Sequence, residues 1–126
     1  MVKYLALKNL IKLTKKKLIS VIFPIYNASN YIDESLTSIL NQTYNNFELI
    51  LVNDGSTDDS LKKCKKYQQK DKRIKIINNE HQGLTKSLND GIKSSLGTFI
   101  ARQDADDISK KDRFEKQVNW FSFSNK

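Results

Sequence analysis

A single cysteine, Cys64, sits in a lysine-rich stretch, so the chain contains no disulfide framework of its own. That usage fits a reducing compartment such as the cytoplasm, and Cys64 reads as an ordinary helix residue. Arginine is scarce: Arg73, Arg102 and Arg113 stand among many lysines, too few for readout of bases or phosphates by planar bidentate contacts. No base-reading motif or basic–aromatic stripe accompanies them, so no specific nucleic-acid partner is expected. Long apolar runs are missing as well. Over residues 1–18 the apolar runs are too short and too interrupted by lysine for a transmembrane helix. No continuous apolar core precedes a small-residue cleavage site, so no secretory signal is expected. There are no internal repeats and no low-complexity linkers.

Positive charge is what the chain has in excess, a formal +8 over 126 residues. Lys3, Lys8, Lys12, Lys15, Lys16 and Lys17 crowd the first segment, and Lys62, Lys63, Lys65, Lys66, Lys70 and Lys72 the middle. Such blocks either form solvated helix faces or meet an anionic surface. Residues 1–18 read as a basic amphipathic lead-in, with Leu7, Leu10, Ile11, Thr14 and Leu18 near one helical face. It packs on the domain as a plain helix or lies on an anionic membrane. The second alternative suits a cytoplasmic protein in peripheral contact with the inner face of the cytoplasmic membrane. Residues 19–126 are then one domain, long enough for a single core without disulfides.

Ile19 to Phe23 reads as a buried strand that Pro24 stops. Tyr31, Ile32, Ser35, Leu36, Ile39 and Leu40 recur at helical spacing, with Asp33 and Glu34 in the first turn where the helix dipole favours them. Phe47 to Val52 is a second strand. Ser56 or Thr57 caps a lysine-rich helix from about Asp58 to Gln69. Arg73 to Ile77 is a third strand, ended by the turn Asn78-Asn79. A helix from Leu84 to Ser95 carries the apolar stripe Leu84, Leu88, Ile92 and Leu96, with Gly97 as its C-cap. Thr98 to Ala101 is a fourth strand, and Lys111 to Phe121 a last helix. Alternating strands and helices imply a parallel sheet of about four strands covered on both faces, an α/β fold. Ligands in such sheets bind outside the carboxyl ends of the strands.

Three chemically loaded segments fall there: Pro24-Ile25-Tyr26-Asn27, Asn53-Asp54-Gly55-Ser56 and Asp104-Ala105-Asp106-Asp107. Carboxylates gathered at a strand end either hold a cation or stay wet at the sheet edge. Mg²⁺ and Mn²⁺ take hard oxygen ligands of this kind, often shared with substrate phosphates. Asp54 either accepts hydrogen bonds from a base or ribose, or is turn chemistry beside Gly55. Tyr26 either stacks on a base or packs at the sheet edge.

Together these stretches resemble the nucleotide-sugar half of family 2 glycosyltransferases with the GT-A fold. The matching pieces are Val21 to Asn27, Ser38 to Tyr44, Glu48 to Asp58, Gly83-Leu84 leading to Leu88 to Ile92, and Ile100 to Asp107. Their order agrees from about Ser20 to Trp120. The resemblance implies that Pro24 and Tyr26 line a nucleoside pocket, with Asn27 and Ala105 in the same nucleotide-sugar site. It implies that Asp54 binds the base or ribose. Asp104 and Asp106 match the Asp-x-Asp element, the first on the ribose side and the second on a Mn²⁺ or Mg²⁺ at the diphosphate, with Asp107 supporting the metal through water. Lys86 faces either the diphosphate or solvent. The implied reaction moves a sugar, UDP-linked by resemblance, to a surface-glycan or lipid-linked acceptor in polysaccharide biosynthesis, with inversion.

The family's general base comes from an acceptor-binding half beyond the metal motif, and nothing matches Asp112 or Glu115 to it. The expectation is therefore a truncated transferase, or one completed by a second polypeptide. The alternative is an inactive nucleotide-binding remnant. A nucleotidyltransferase is disfavoured because Pro24 to Asn30 holds neither glycine nor lysine.

Overall fold

The computed structural model describes residues 16–124; most of the expected lead-in over 1–18 lies outside them. Strands and helices alternate: β1 (Ile19–Ile25), α1 (Ile32–Leu40), β2 (Phe47–Asp54), α2 (Ser60–Lys70), β3 (Ile74–Asn79), α3 (Leu84–Lys93), β4 (Phe99–Arg102) and α4 (Arg113–Ser124). The strands form one parallel four-stranded sheet in the order β3-β2-β1-β4. Growth runs outward from β1 to β3, then returns to place β4 on the other side of β1. That reversal makes the carboxyl ends of β1 and β4 the crevice where such sheets take ligands.

Both faces of β1 and β2 are buried, so these strands are continuous apolar runs rather than alternating ones. On one face Val21, Phe23, Leu49 and Leu51 meet Ile32, Leu36 and Ile39 of α1, Cys64 of α2 and Phe114 of α4. On the other, Ile22, Ile50 and Val52 meet Leu88 of α3. The chain is thus α/β with helices on both faces, as its alternation implies.

Several local expectations need correcting. Pro24 does not stop β1: it pairs with Val52, and the strand runs on to Ile25. Ile22 O accepts from Gln103 N on the β4 side. Two residues on, the Pro24 nitrogen faces the same side, just past the Ile19–Ile22 stretch that β4 pairs, so its missing N–H costs no ladder bond. Asn78 and Asn79 continue β3 opposite Asn53 and Asp54 instead of turning. The α2 helix starts at Ser60 with Asp59 at the cap position, and the Asp58 carboxylate, rather than Ser56 or Thr57, accepts the Ser60 N–H at 2.9 Å.

The stripe on α3 is only partly a core face. Ser87 and Gly91 are its buried residues, whereas Leu84, Ile92 and Leu96 are largely exposed. Gly91 lets the helix approach the sheet, since a Cβ there would stand 2.5 Å from Ile22 Cγ2. The C-cap of α3 is Ser94. Gly97 serves close packing instead, because a Cβ would meet Ser20 Oγ at 2.6 Å and Leu18 O at 2.8 Å.

Candidate functional site

A cavity of about 310 Å³ opens where β1 and β4 end. Pro24, Tyr26, Asn27 and Ala28 line it from the β1 side, and Arg102, Asp104, Ala105 and Asp106 from the β4 side, with Tyr31 and Leu84 at its margin. The structure therefore brings together six of the expected site residues: Pro24, Tyr26, Asn27, Asp104, Ala105 and Asp106. A larger cavity of about 600 Å³, between the loop after β4 and α4, shares only Arg102 with it. Asp107, expected to support the metal, lines this larger cavity and not the smaller one.

Each loop is fixed by its own polar contacts. Asn27 sits at φ 47°, a left-handed conformation that Asn tolerates. Its Oδ1 accepts the Thr57 N–H at 2.7 Å and its own N–H donates to Ser56 Oγ at 3.0 Å, tying the loop after β1 to that after β2. The acidic loop is organised by Gln103, which is 2% exposed. Gln103 Nε2 donates to Asp107 O at 2.7 Å and Ser35 Oγ at 3.1 Å. Its Oε1 accepts from Ser109 Oγ at 2.7 Å and an Arg113 guanidinium nitrogen at 2.8 Å. Ser35 Oγ in turn donates to Asp104 O at 3.1 Å.

Asp104 is held by Arg102, whose Nε and a terminal nitrogen reach its two oxygens at 2.8 and 3.2 Å. Asp106 and Asp107 are exposed. Among the described residues no three His, Cys, Asp or Glu side chains gather into a metal-holding group. Two carboxylates at an open cavity do suit Mg²⁺ or Mn²⁺ that draws its remaining oxygens from a diphosphate and water. They do not suit a metal caged by protein alone.

Asp54 lies at the end of β2, 4% exposed and outside the cavity lining. Its Oδ1 accepts the Gln82 N–H at 2.7 Å and its Oδ2 the Gly83 N–H at 3.0 Å. His81 Nδ1 is also 2.9 Å from Oδ2, and its ring stacks on Tyr26 with centroids 4.1 Å apart. Lys86 pairs with Asp90 at 2.6 Å and is not among the cavity residues. Sequence reasoning missed His81, Gln103, Arg102 and Tyr31. The signal for His81 was available: it is the only histidine, in the loop at the carboxyl end of β3. Tyr31, taken there for part of a helical stripe, is 59% exposed at the cavity margin.

Comparison with known proteins identifies the family and the fold. The sequence pattern described as Glycosyl transferase family 2 matches residues 20–126. An uncharacterized glycosyltransferase of Haemophilus influenzae is 51% identical over 104 residues, covering 82% of this chain and 32% of that protein. Glycosyltransferase GlyG of Streptococcus pneumoniae is 42% identical over 100 residues, covering 79% and 33%. The chain thus spans about a third of the length of these relatives. Among solved structures, S. aureus TarS 1-349 in complex with UDP superposes with TM-score 0.77 at 32% identity, over 82% of this chain and 32% of that one. The mannosyltransferase PcManGT of Pyrobaculum calidifontis, in complex with GDP-Man and Mn²⁺, superposes with TM-score 0.78 over 94% of this chain and 39% of that one. At 23% identity it shows the shared fold alone. With strand order and family pattern in agreement over nearly all of the described residues, the chain belongs to glycosyl transferase family 2 and has its GT-A fold.

Proposed function

We propose that this chain is the donor-binding part of a glycosyltransferase and takes a nucleotide-diphosphate sugar, UDP-linked, at the carboxyl ends of β1 and β4. The cavity carries the reading: one space gathers a half-exposed tyrosine ring from after β1 and two carboxylates from after β4. That pairing suits a ligand with a flat base at one end and a diphosphate at the other. The TarS structures with UDP and UDP-GlcNAc support uridine as the nucleoside.

In this reading the base stacks on Tyr26 beside Pro24, and Asp54 accepts a hydrogen bond from the base or ribose. Asn27 and Ala105 shape the walls, Asp104 meets the ribose side, and Asp106 holds the metal, with Asp107 supporting it through water. When bound, a divalent ion supplies Lewis-acid stabilisation to the charge developing on the departing nucleoside diphosphate. Gln103 anchors the backbone of this loop at Asp107 O and, through Ser35, at Asp104 O, while Arg102 holds the Asp104 carboxylate. Lys86 reaches the diphosphate only by leaving Asp90.

The sugar passes, with inversion, to a hydroxyl of a surface glycan or lipid-linked acceptor. The basic residues 1–18 suit work at the inner face of the cytoplasmic membrane; among the described residues no helix is long and apolar enough to cross a membrane. The acceptor hydroxyl must give its proton to a base in reach. Asp112 pairs with Lys116 at 3.1 Å, Glu115 accepts from Thr43 at 2.8 Å, and neither lines the cavity. In this reading the base belongs to an acceptor-binding half outside the described residues. The same observation favours a second reading, a nucleotide-binding domain without turnover.

Equilibrium binding with UDP, GDP, CDP and ADP, followed by a transfer assay, tests both readings. UDP is expected to bind, and Tyr26→Ala to weaken it about tenfold or more, the scale of one lost base–aromatic stack. Equal binding of all four nucleotides, unaffected by Tyr26→Ala, would refute the donor site. UDP binding without transfer to any acceptor supports the second reading.

A further inference from the structure

We propose that the His81 imidazole imitates a nucleobase and occupies the base position between Tyr26 and Asp54 until a donor displaces it. The inference rests on the donor-binding reading above and adds a residue that competes for that site.

Two contacts define the imitation. The imidazole lies on the Tyr26 ring with centroids 4.1 Å apart and planes 23° from parallel, a stacked arrangement of the kind in which a base lies on an aromatic side chain. Its Nδ1 is 2.9 Å from Asp54 Oδ2 and 3.2 Å from Asp54 O. Both oxygens are acceptors, so Nδ1 carries the hydrogen and donates it. A flat ring on Tyr26 with a ring N–H aimed at the Asp54 carboxylate is what uracil, with its N3–H, presents. Centroids 4.1 Å apart leave no room for a second ring between Tyr26 and His81.

The geometry also explains how the ring leaves. The His81 backbone is packed against Gly55, where a Cβ would come within 2.6 Å of its nitrogen, but the side chain is 55% exposed. The imidazole can therefore swing into solvent by side-chain rotation while Gln82 and Gly83 keep their bonds to Asp54. Asp54 stays anchored and its Oδ2 loses one donor, which the incoming N–H replaces. A cytosine offers an acceptor nitrogen at that ring position and faces the carboxylate with a lone pair. The displacement thus favours bases with a ring N–H.

His81 is the only histidine, so in a tag-free chain its ring resonances form an unambiguous probe. In the 1H–13C aromatic spectrum they should be shifted by the Tyr26 ring, and the shift should vanish in Tyr26→Ala. Saturating UDP should move them to the same unstacked position, whereas CDP should leave them in place. Removing the competitor raises the competent fraction, so His81→Ala should bind UDP roughly 3- to 10-fold tighter, the scale of losing one aromatic stack. UDP binding with the His81 signals unmoved, equal displacement by CDP, or His81→Ala binding no tighter would overturn the inference and leave the donor site standing. Failure of both parent and His81→Ala to bind UDP would remove the donor reading and this inference with it.

Discussion

The Asp54 carboxylate joins the end of β2 to the start of α3 through the backbone N–H groups of Gln82 and Gly83. Asp54→Ala strips both donors of their partner and is expected to cost about 1–3 kcal/mol, seen as a lower urea midpoint at unchanged slope. An unmoved midpoint would show that the loop does not depend on it. Asp58 gives a pH signature. Burial works against its ionisation, but hydrogen bonds from Ser60 and Ser29 outweigh that and hold its carboxyl at about 2. The folded value lies below the unfolded 3.8, so its stabilisation is complete above that pH and is lost as pH falls toward 2. The gap in urea midpoint between the parent and Asp58→Asn should narrow over that window, and a gap constant with pH would contradict it. Cys64 is fully buried and burial pushes its thiol up to about 12, so it should resist alkylation at pH 8 until the chain is unfolded. At this scale the sequence shows Tyr26, Asp54, Asp104 and Asp106, because side chains just past apolar runs collect at one sheet edge. It does not show Gln103, whose four side-chain hydrogen bonds are made to residues that only the folded loop, α1 and α4 bring near. Periodicity carries no mark of which loop amide turns inward.

Among the elements, α3 and α4 depend on single close contacts. Gly91→Ala puts a methyl against Ile22 and is expected to destabilise by about 1–3 kcal/mol. Phe114 is fully buried with its ring edge-on to Phe47 at 5.8 Å, so Phe114→Ala should cost about 3–5 kcal/mol by releasing α4 from the sheet. Urea denaturation reads both, and a wild-type midpoint in either variant would show that the helix packs elsewhere. Element types were legible because β1 and β2 are continuous apolar runs and α1 has a clean helical stripe. Boundaries were less so. Pro24 reads as a stop, yet it is tolerated where β4 has already left the strand. Gly97 reads as a cap, yet its need is space beside Ser20. Leu84, Ile92 and Leu96 have core spacing but are exposed, while Ser87 and Gly91 are buried and Leu88 packs against Ile22, Ile50 and Val52.

For the molecule as a whole, β4 is an edge strand among the described residues with Ile100 exposed on it, and Ile92 and Leu96 are exposed as well. An open edge beside exposed apolar side chains promotes association. Sedimentation should show species heavier than the 14.6 kDa chain as concentration rises; a monomer at all concentrations would mean that the edge is protected. The central claim is that the cavity at β1 and β4 is a working donor site. Calorimetric titration of the chain with UDP, with Mn²⁺ and then with EDTA, tests it most directly. The expected result is binding that requires the metal and disappears in a folded Asp106→Ala variant. A folded chain that binds no UDP, or binds it equally well in EDTA and in Asp106→Ala, would contradict the claim.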